Sequence, residues 1–196
     1  MAVTTDGLPL GILRGQCYAP ELKPERKGKD RRTIPIEEKE SFRWIEGLRD
    51  CMEVIRDMPN TSGVVVLDRE GDFFELFDEW RKNPRVNLLI RAQHDRRTGE
   101  DLSLFKMVEQ SPVQLRLQID IPRYSARRKK AGRSARKKSS ARQAEVAVRY
   151  TSANLLPPRG GLNSGKAPVQ VWFVHIVEDN PPKEIEPLEW RLITTC

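Results

Sequence analysis

The sequence of 196 residues predicts a mixed α/β (α+β) fold, in which a helix-covered sheet is followed by an antiparallel β-rich region. In the first half, short and continuously apolar runs alternate with segments whose apolar residues recur every three or four positions. This is the pattern of strands that alternate with helices. In the second half, apolar and polar residues alternate one by one, as in half-exposed antiparallel strands. We therefore expect a mixed sheet with helices over residues 1–110 and a β-rich subdomain over residues 111–196.

The N-terminal segment predicts a hairpin, a loop and a helix. In residues 1–19, strand-like runs flank Asp6-Gly7, a dipeptide typical of two-residue turns. Residues 20–34 are rich in proline and charge, which favours an exposed loop. A helix is expected over residues 36–56, because one apolar stripe recurs there at helical spacing. The stripe consists of Phe42, Ile45, Leu48, Met52 and Ile55.

Two strands and a second helix are predicted next, around a short acidic run. Residues 64–67 are continuously apolar and mostly β-branched, which indicates a strand buried on both faces. Three acids, Asp68, Glu70 and Asp72, follow this strand directly. Residues 86–90 predict another buried strand. The helix between the two strands has an apolar face made of Phe73, Phe74, Leu76, Phe77 and Trp80.

The second half predicts antiparallel strands and one strongly basic loop. Strands are expected at residues 113–121, 146–150, 169–177 and 190–195. Between the first two of these strands, residues 123–142 contain ten Lys or Arg residues and no acid, although the whole chain has a net charge of only +7. A solvated loop is one interpretation. The length and single sign of the run favour the other, a hairpin that contacts DNA or RNA phosphates.

The composition limits the kinds of site that are possible. Cys17, Cys51 and Cys196 are far apart, and His94 and His175 are the only histidines, so a zinc knuckle or a disulfide framework is not expected. A bound metal would have carboxylate ligands, which favours Mg²⁺ or Mn²⁺. No apolar run approaches the ~18 residues of a membrane helix, and the N-terminus does not resemble a signal peptide. We expect a cytoplasmic location and no membrane partner.

Asp68 is the most informative single position. It follows a predicted parallel-type strand, and ligands of α/β sheets bind outside the carboxyl ends of such strands. A carboxylate there is costly unless it is paired or holds a cation. The alternative role is a cap for the helix that begins near Asp72, with backbone N–H groups as partners. Because Asp68, Glu70 and Asp72 lie where a strand passes into a turn, we expect them to point in different directions.

Three segments carry a resemblance to a known family. VVVLDREGDFFELF, NLLIR and NPPKEIEPLEWRLITT occur in this order and together resemble the catalytic core of insertion-sequence DDE transposases. More narrowly, the chain is similar to the cut-and-paste group that excises its element through a DNA hairpin. The resemblance implies a partial ribonuclease-H-like core over residues 1–110. It also implies a β-rich insertion over residues 111–196 that contains the basic hairpin 123–142.

The resemblance implies a reaction that needs three carboxylates, and this sequence matches only one of them. In the family, two aspartates and a glutamate hold two Mg²⁺ (or Mn²⁺) ions for phosphoryl transfer on DNA. Asp68 matches the second aspartate and would be a catalytic residue and a metal ligand. The sequence has no match to the glutamate box, Y-x(2)-R-x(3)-E-x(6)-K, and the first aspartate would precede Met1. We therefore expect a central fragment that is inactive alone and binds metal weakly or not at all.

The resemblance also implies DNA contacts. Trp190 matches a tryptophan that stacks on a flipped base, with a core tryptophan as the alternative, and Arg91 matches an arginine near the cleaved end, with an ordinary strand-end arginine as the alternative. His94 and Arg96 are further candidates. The residues expected to contact backbone phosphates are Lys129, Lys130, Arg133, Arg136, Lys137 and Lys138. The implied partner is the DNA of a transposon end, bound by a dimer on paired ends in the bacterial nucleoid.

Three functions are consistent with these patterns. The first is a transposase fragment with DNA binding as its only remaining activity. The second is a non-enzymatic, basic nucleic-acid-binding module. The third is a small magnesium nuclease that uses Asp68, Glu70 and Asp72. We rank them in this order, because both ends of the sequence look cut and a nuclease would need a second cluster of acids or a histidine near Asp68.

Overall fold

The computed structural model describes residues 1–15, 31–99, 102–123, 125, 140–183 and 185–196. The chain separates into two compact units, Met1–Arg31 and Arg32–Cys196. Each unit is described by itself below.

The first unit contains the predicted hairpin. Strands β1 (Ala2–Val3) and β2 (Pro9–Gly11) pair in antiparallel fashion. The N–H of Thr4 donates to the carbonyl of Leu8 and the N–H of Gly7 donates to the carbonyl of Thr4, so the loop has three residues. The turn is thus one residue longer than the Asp-Gly dipeptide predicts, because Gly7, at φ 84°, takes the left-handed conformation that closes a three-residue loop. Residues 16–30, which cover the rest of this prediction and most of the predicted loop, lie outside the described residues.

The described part of the second unit contains three α-helices: α1 (Phe42–Arg56), α2 (Phe74–Trp80) and α3 (Leu104–Gln110). The predicted apolar stripe of α1 faces the core, but the helix begins at Phe42 and not at residue 36. A short 3-10 helix, Ile36–Glu38, precedes it, and Lys39 with its extended backbone separates the two. The sequence did not predict α3.

Six strands form one curled, mixed sheet in the order β3-β4-β8-β7-β6-β5. The strands are β3 (Gly63–Leu67), β4 (Val86–Arg91), β5 (Leu115–Ile121), β6 (Arg142–Leu155), β7 (Val169–Glu178) and β8 (Glu189–Thr194). β3 and β4 are parallel, and all other pairs are antiparallel. The predicted mixed α+β class is confirmed at this level. The ribonuclease-H-like assignment and the division at residue 110 stay predictions.

Strands β5 and β6 flank the basic segment as predicted. They pair in antiparallel register from Leu115 with Val148 to Ile121 with Arg142, so the segment between them connects the two strands of a hairpin. Residues 124 and 126–139 lie outside the described residues.

The helices cover one face of the sheet. α1 and α2 contact β4, α1 also contacts β3, and α3 contacts β6 and β7. On this helix face the side chains of Leu88, Phe173 and Ile193 are fully buried. Strand residues alternate between faces, so the neighbours of these residues lie on the other side, which we call the open face. The open face includes Val64, Val66, Leu89, Arg91, Tyr150, Trp172, Val174, Ile176, Trp190 and Leu192.

The prediction that the strand at 64–67 is buried on both faces was wrong. β3 lies at an edge of the sheet, and Val64 and Val66 are 50% and 68% exposed on the open face. A run of valines favours extended backbone, and this preference is met in an edge strand as well as in a central one. The run therefore does not indicate burial on both faces. The neighbouring β4 is fully buried on the helix face and half-buried on the open face.

Candidate nucleic-acid interface

A groove on the open face brings together three residues that the sequence singled out: Asp68, Arg91 and Trp190. It has a volume of about 310 Å³. Its lining consists of Val66, Leu67, Asp68, Leu89, Arg91, Trp190 and Leu192. The three candidates come from distant parts of the sequence, and only the strand order β3-β4-β8 makes them neighbours.

The strand register explains this convergence. Leu67 pairs with Ile90 in the parallel pair, so the next residues, Asp68 and Arg91, leave the same edge of the sheet side by side. Arg91 pairs with Leu192 of β8, and Trp190 lies two residues before Leu192 on the same face. The groove therefore has a carboxylate and a guanidinium at one end and an indole beside them, over an apolar floor.

Asp68 has the capping role that the sequence left open. Its Oδ1 accepts a hydrogen bond of 3.0 Å from the N–H of Glu70, at the start of the 3-10 helix Arg69–Gly71. The side chain is exposed to solvent at the groove edge. The capped turn is the one after β3, a few residues earlier than the helix start at which a cap was expected.

The three acids diverge, as expected from their spacing. Glu70 pairs with Arg43 of α1 at 2.6 Å, whereas Asp72 is buried and pairs with Arg96 at 2.6 Å. Among the described residues no group of three His, Cys, Asp or Glu side chains is placed to hold a metal ion. A two-ion centre needs several carboxylates around it. The described residues therefore do not fit such a centre, and the arrangement counts against a nuclease built from these three acids.

Arg91 and Trp190 present their side chains to solvent. Arg91 is exposed at the end of β4, and Trp190 is 41% exposed. An indole with this exposure is not a core residue, so the core interpretation of Trp190 does not hold. A guanidinium and an aromatic ring side by side can bind a phosphate and stack on a base.

Arg96 and His94 lie away from the groove lining. The side chain of Arg96 is 14% exposed, and its guanidinium donates to Asp72 Oδ1 and to the carbonyl of Asp72. His94 contributes a backbone N–H to Asp72 Oδ2 at 2.9 Å. Arg96 thus holds the turn after β3 to the loop after β4.

The six phosphate-contact candidates of the basic segment, Lys129, Lys130, Arg133, Arg136, Lys137 and Lys138, lie outside the described residues. The described end of the segment is anchored: Arg142, the first residue of β6, forms a bidentate ion pair with the buried Glu178 of β7. Glu178 also accepts a hydrogen bond of 3.0 Å from the N–H of Leu188, just before β8. The base of the basic hairpin and the start of the strand that bears Trp190 therefore share one carboxylate.

Sequence reasoning missed two aromatic residues on the open face. Tyr150 of β6 and Trp172 of β7 are 41% and 43% exposed, and their rings meet edge to face with centroids 6.0 Å apart. The signal was present in the alternation of β7, since Trp172 is out of phase with the buried Val171 and Phe173. It was overlooked because an aromatic residue in an apolar strand usually belongs to the core.

No family model matches the sequence. Among the described residues, none of the helices is both long and apolar enough to cross a membrane.

Proposed function

We propose that the chain is part of a cut-and-paste DNA transposase of the DDE type and that its own activity is DNA binding through the open face and the basic hairpin. The convergence of Asp68, Arg91 and Trp190 in one groove carries the proposal. Each was assigned to transposon-end chemistry from a different sequence segment, and a chance resemblance gives no reason for them to meet. Arg91 would bind a phosphate, and Trp190 would stack on an unpaired base beside it.

The charge distribution supports a nucleic-acid partner. Segment 123–142 contains ten basic residues and connects two strands of the sheet that bears the groove. Clustered Lys and Arg side chains bind phosphates without reading sequence. Such binding releases counterions from the DNA, and it weakens steeply at higher salt because the free-energy gain from this release becomes smaller. The proposal therefore implies binding that is sequence-tolerant and sensitive to salt.

In this proposal Asp68 is the second of the three catalytic carboxylates of the family. One carboxylate does not hold two divalent ions, and most of the acceleration of phosphoryl transfer comes from positioning and charge stabilisation. The chain alone is therefore expected to cut no DNA in the presence of Mg²⁺ or Mn²⁺. Clean nicking that is lost in Asp68→Ala would contradict this expectation.

The DNA contact of Arg91 is tested by the salt dependence of duplex binding. Fluorescence anisotropy with a labelled duplex, measured over a series of salt concentrations, gives the slope of log K against log salt. Arg91→Ala is expected to weaken binding and to reduce this slope by about 1, the effect of losing one phosphate contact. Arg56→Ala on α1 is the matched control, since it removes the same charge from a helix on the other side of the sheet. Equal slopes for the wild type and both variants would show that Arg91 does not contact a phosphate of the duplex.

The capping bond of Asp68 favours a second candidate, a non-enzymatic nucleic-acid-binding module in which this carboxylate is purely structural. Sequencing the DNA on both sides of the reading frame separates the two candidates. A strand with an aspartate upstream and a Y-R-E-K segment downstream, in any frame, would support the transposase. Their absence would favour the independent module.

A further inference from the structure

We infer that Tyr150 and Trp172 form a second stacking site, which binds an unpaired nucleobase of single-stranded DNA next to the groove. This inference rests on the proposed function, because it assumes a DNA partner. It adds a site that the resemblance does not assign. The two rings lie on adjacent strands of the open face, and each remains more than two-fifths exposed despite their mutual edge-to-face contact.

The position of the pair relative to the groove follows from the register. Arg91, Leu192, Val174 and Tyr150 are directly opposite one another across β4, β8, β7 and β6 and make one row of side chains on the open face. With strands about 4.8 Å apart, this row puts Tyr150 roughly 14 Å from Arg91. Trp172 lies one row along the sheet from Tyr150. A strand of DNA that crosses the sheet can therefore reach the guanidinium and the aromatic pair together.

The charges of this face favour a polyanion. Among the acidic residues of the six strands, the register places only Glu178 on the same side of the sheet as Trp172, and Arg142 neutralises it with a bidentate ion pair. Arg91 and Asp68 are both exposed at the groove edge and offset each other. The positive bias therefore comes from the basic segment, at whose end the strand that carries Tyr150 begins. An apolar peptide or a second copy of the chain could also pack on the two rings, but neither would explain the positive charge beside them.

The chemistry of the rings favours bases over duplex DNA. A half-exposed aromatic ring on a sheet replaces the stacking that a base loses when it leaves the duplex, and it does so for every base. In paired DNA the bases are already stacked. The aromatic pair should therefore add affinity for single strands and leave duplex affinity unchanged.

The test compares two labelled oligonucleotides with the same backbone charge, a short oligo(dT) and one of equal length whose residues are abasic. Wild-type chain is expected to bind oligo(dT) at least about fivefold more tightly than the abasic strand. Trp172→Leu should lose most of this preference and keep the affinity for the abasic strand, whereas Trp172→Phe should retain the preference. Leu117→Ala, at a similarly exposed apolar position of β5, is the control and should change neither affinity.

Each other outcome has a defined meaning. Salt-sensitive binding of both oligonucleotides with equal affinity would overturn the stacking site, and the stacking role of Trp190 with it, but would leave DNA binding through phosphate contacts standing. No binding of any DNA by the wild type would overturn both. If Trp172→Leu instead converts a dimer to a monomer in sedimentation without changing the base preference, the pair belongs to a contact between copies, and the inference fails. Because Trp190 is also proposed to stack on a base, the preference of the wild type alone does not separate the two sites. Trp190→Leu should keep most of the preference, whereas Trp172→Leu should lose it. The reverse pattern would assign the stacking to the groove and overturn the inference.

Discussion

Arg96 and Asp72 tie together the two turns that follow the parallel strands: Arg96 Nη2 lies 2.6 Å from Asp72 Oδ1, and the Asp72 side chain is fully buried. Asp72 Oδ2 accepts two further hydrogen bonds, of 2.7 Å from the N–H of Gln93 and 2.9 Å from the N–H of His94. The turn that holds Asp68 and the segment after Arg91 are thereby fixed to each other. The groove geometry depends on this buried pair.

Removal of the carboxylate should therefore destabilise the whole second unit. Asp72→Ala leaves a buried guanidinium and two backbone N–H groups without their partner, which costs about 3–5 kcal/mol in the free energy of unfolding. Asp57→Ala is the control, because Asp57 is 77% exposed where it pairs with Arg56, and its loss should change stability by less than about 1 kcal/mol. Urea unfolding followed by circular dichroism measures both. Similar midpoints for the two variants would show that the pair does not hold the turns together.

The buried ion pair of Glu178 predicts a specific pH dependence. The hydrogen bond from Arg142 lowers the pKa of Glu178 below its ordinary value of 4.5, assisted by the N–H of Leu188 and opposed by burial. A carboxyl whose pKa is lower in the folded state stabilises the fold fully above the ordinary pKa and loses this contribution as the pH falls through the folded pKa. The stability difference between wild type and Glu178→Gln should therefore be constant from neutral pH down to about pH 5 and shrink at lower pH.

The matched control for this pH dependence is Glu53→Gln, in an ion pair of 3.7 Å in which both partners are mostly exposed. Its difference from wild type should be small at every pH. Unfolding midpoints at a series of pH values give both curves. A Glu178→Gln difference that does not shrink at acidic pH would mean that the Arg142 contact contributes nothing to stability in solution.

The sequence predicted most strands and the divergence of the three acids, because local periodicity and local spacing determine them. It did not predict α3, which has as many residues as the predicted α2. The apolar residues of α3 end at Val108 and span little more than one turn, whereas those of α2 recur as far as Trp80. Nor did it predict that one face of β3 is exposed, because a run of valines does not show which faces of a strand are covered. The groove depends on the position of β8 between β4 and β7, which contacts between distant residues such as Leu89 and Thr194 decide. Tyr150 and Trp172 meet for the same reason.

Two glycines should respond to alanine in opposite directions. A Cβ on Gly71 would lie 2.8 Å from Cβ and Cδ1 of Leu67, so Gly71→Ala must displace the turn that holds Asp68. We expect a loss of about 1–3 kcal/mol. A Cβ on Gly47, within α1, meets nothing within 4 Å, so Gly47→Ala should stabilise the chain by roughly 0.5–1 kcal/mol. Thermal unfolding of both variants checks the signs, and a neutral Gly71→Ala would show that the turn adapts without cost.

The cysteines provide a test of packing around α1. Cys51 is half-buried and packs against the core, and burial, assisted by the charge of Asp50, raises the pKa of its thiol. Cys196 is exposed. Because the thiolate is the reactive form, Cys51 should react with a disulfide reagent more slowly than Cys196, on the order of tenfold or more.

The reaction is best followed in Cys17→Ser, since Cys17 lies outside the described residues. Two kinetic phases are expected at neutral pH, and the additional change Cys196→Ser should remove only the fast one. In urea the slow phase should accelerate to the rate of the fast phase, because unfolding abolishes both the burial of Cys51 and its raised pKa. A single fast phase under native conditions would mean that α1 does not pack on the sheet as described, and the helix face of the fold would then need revision.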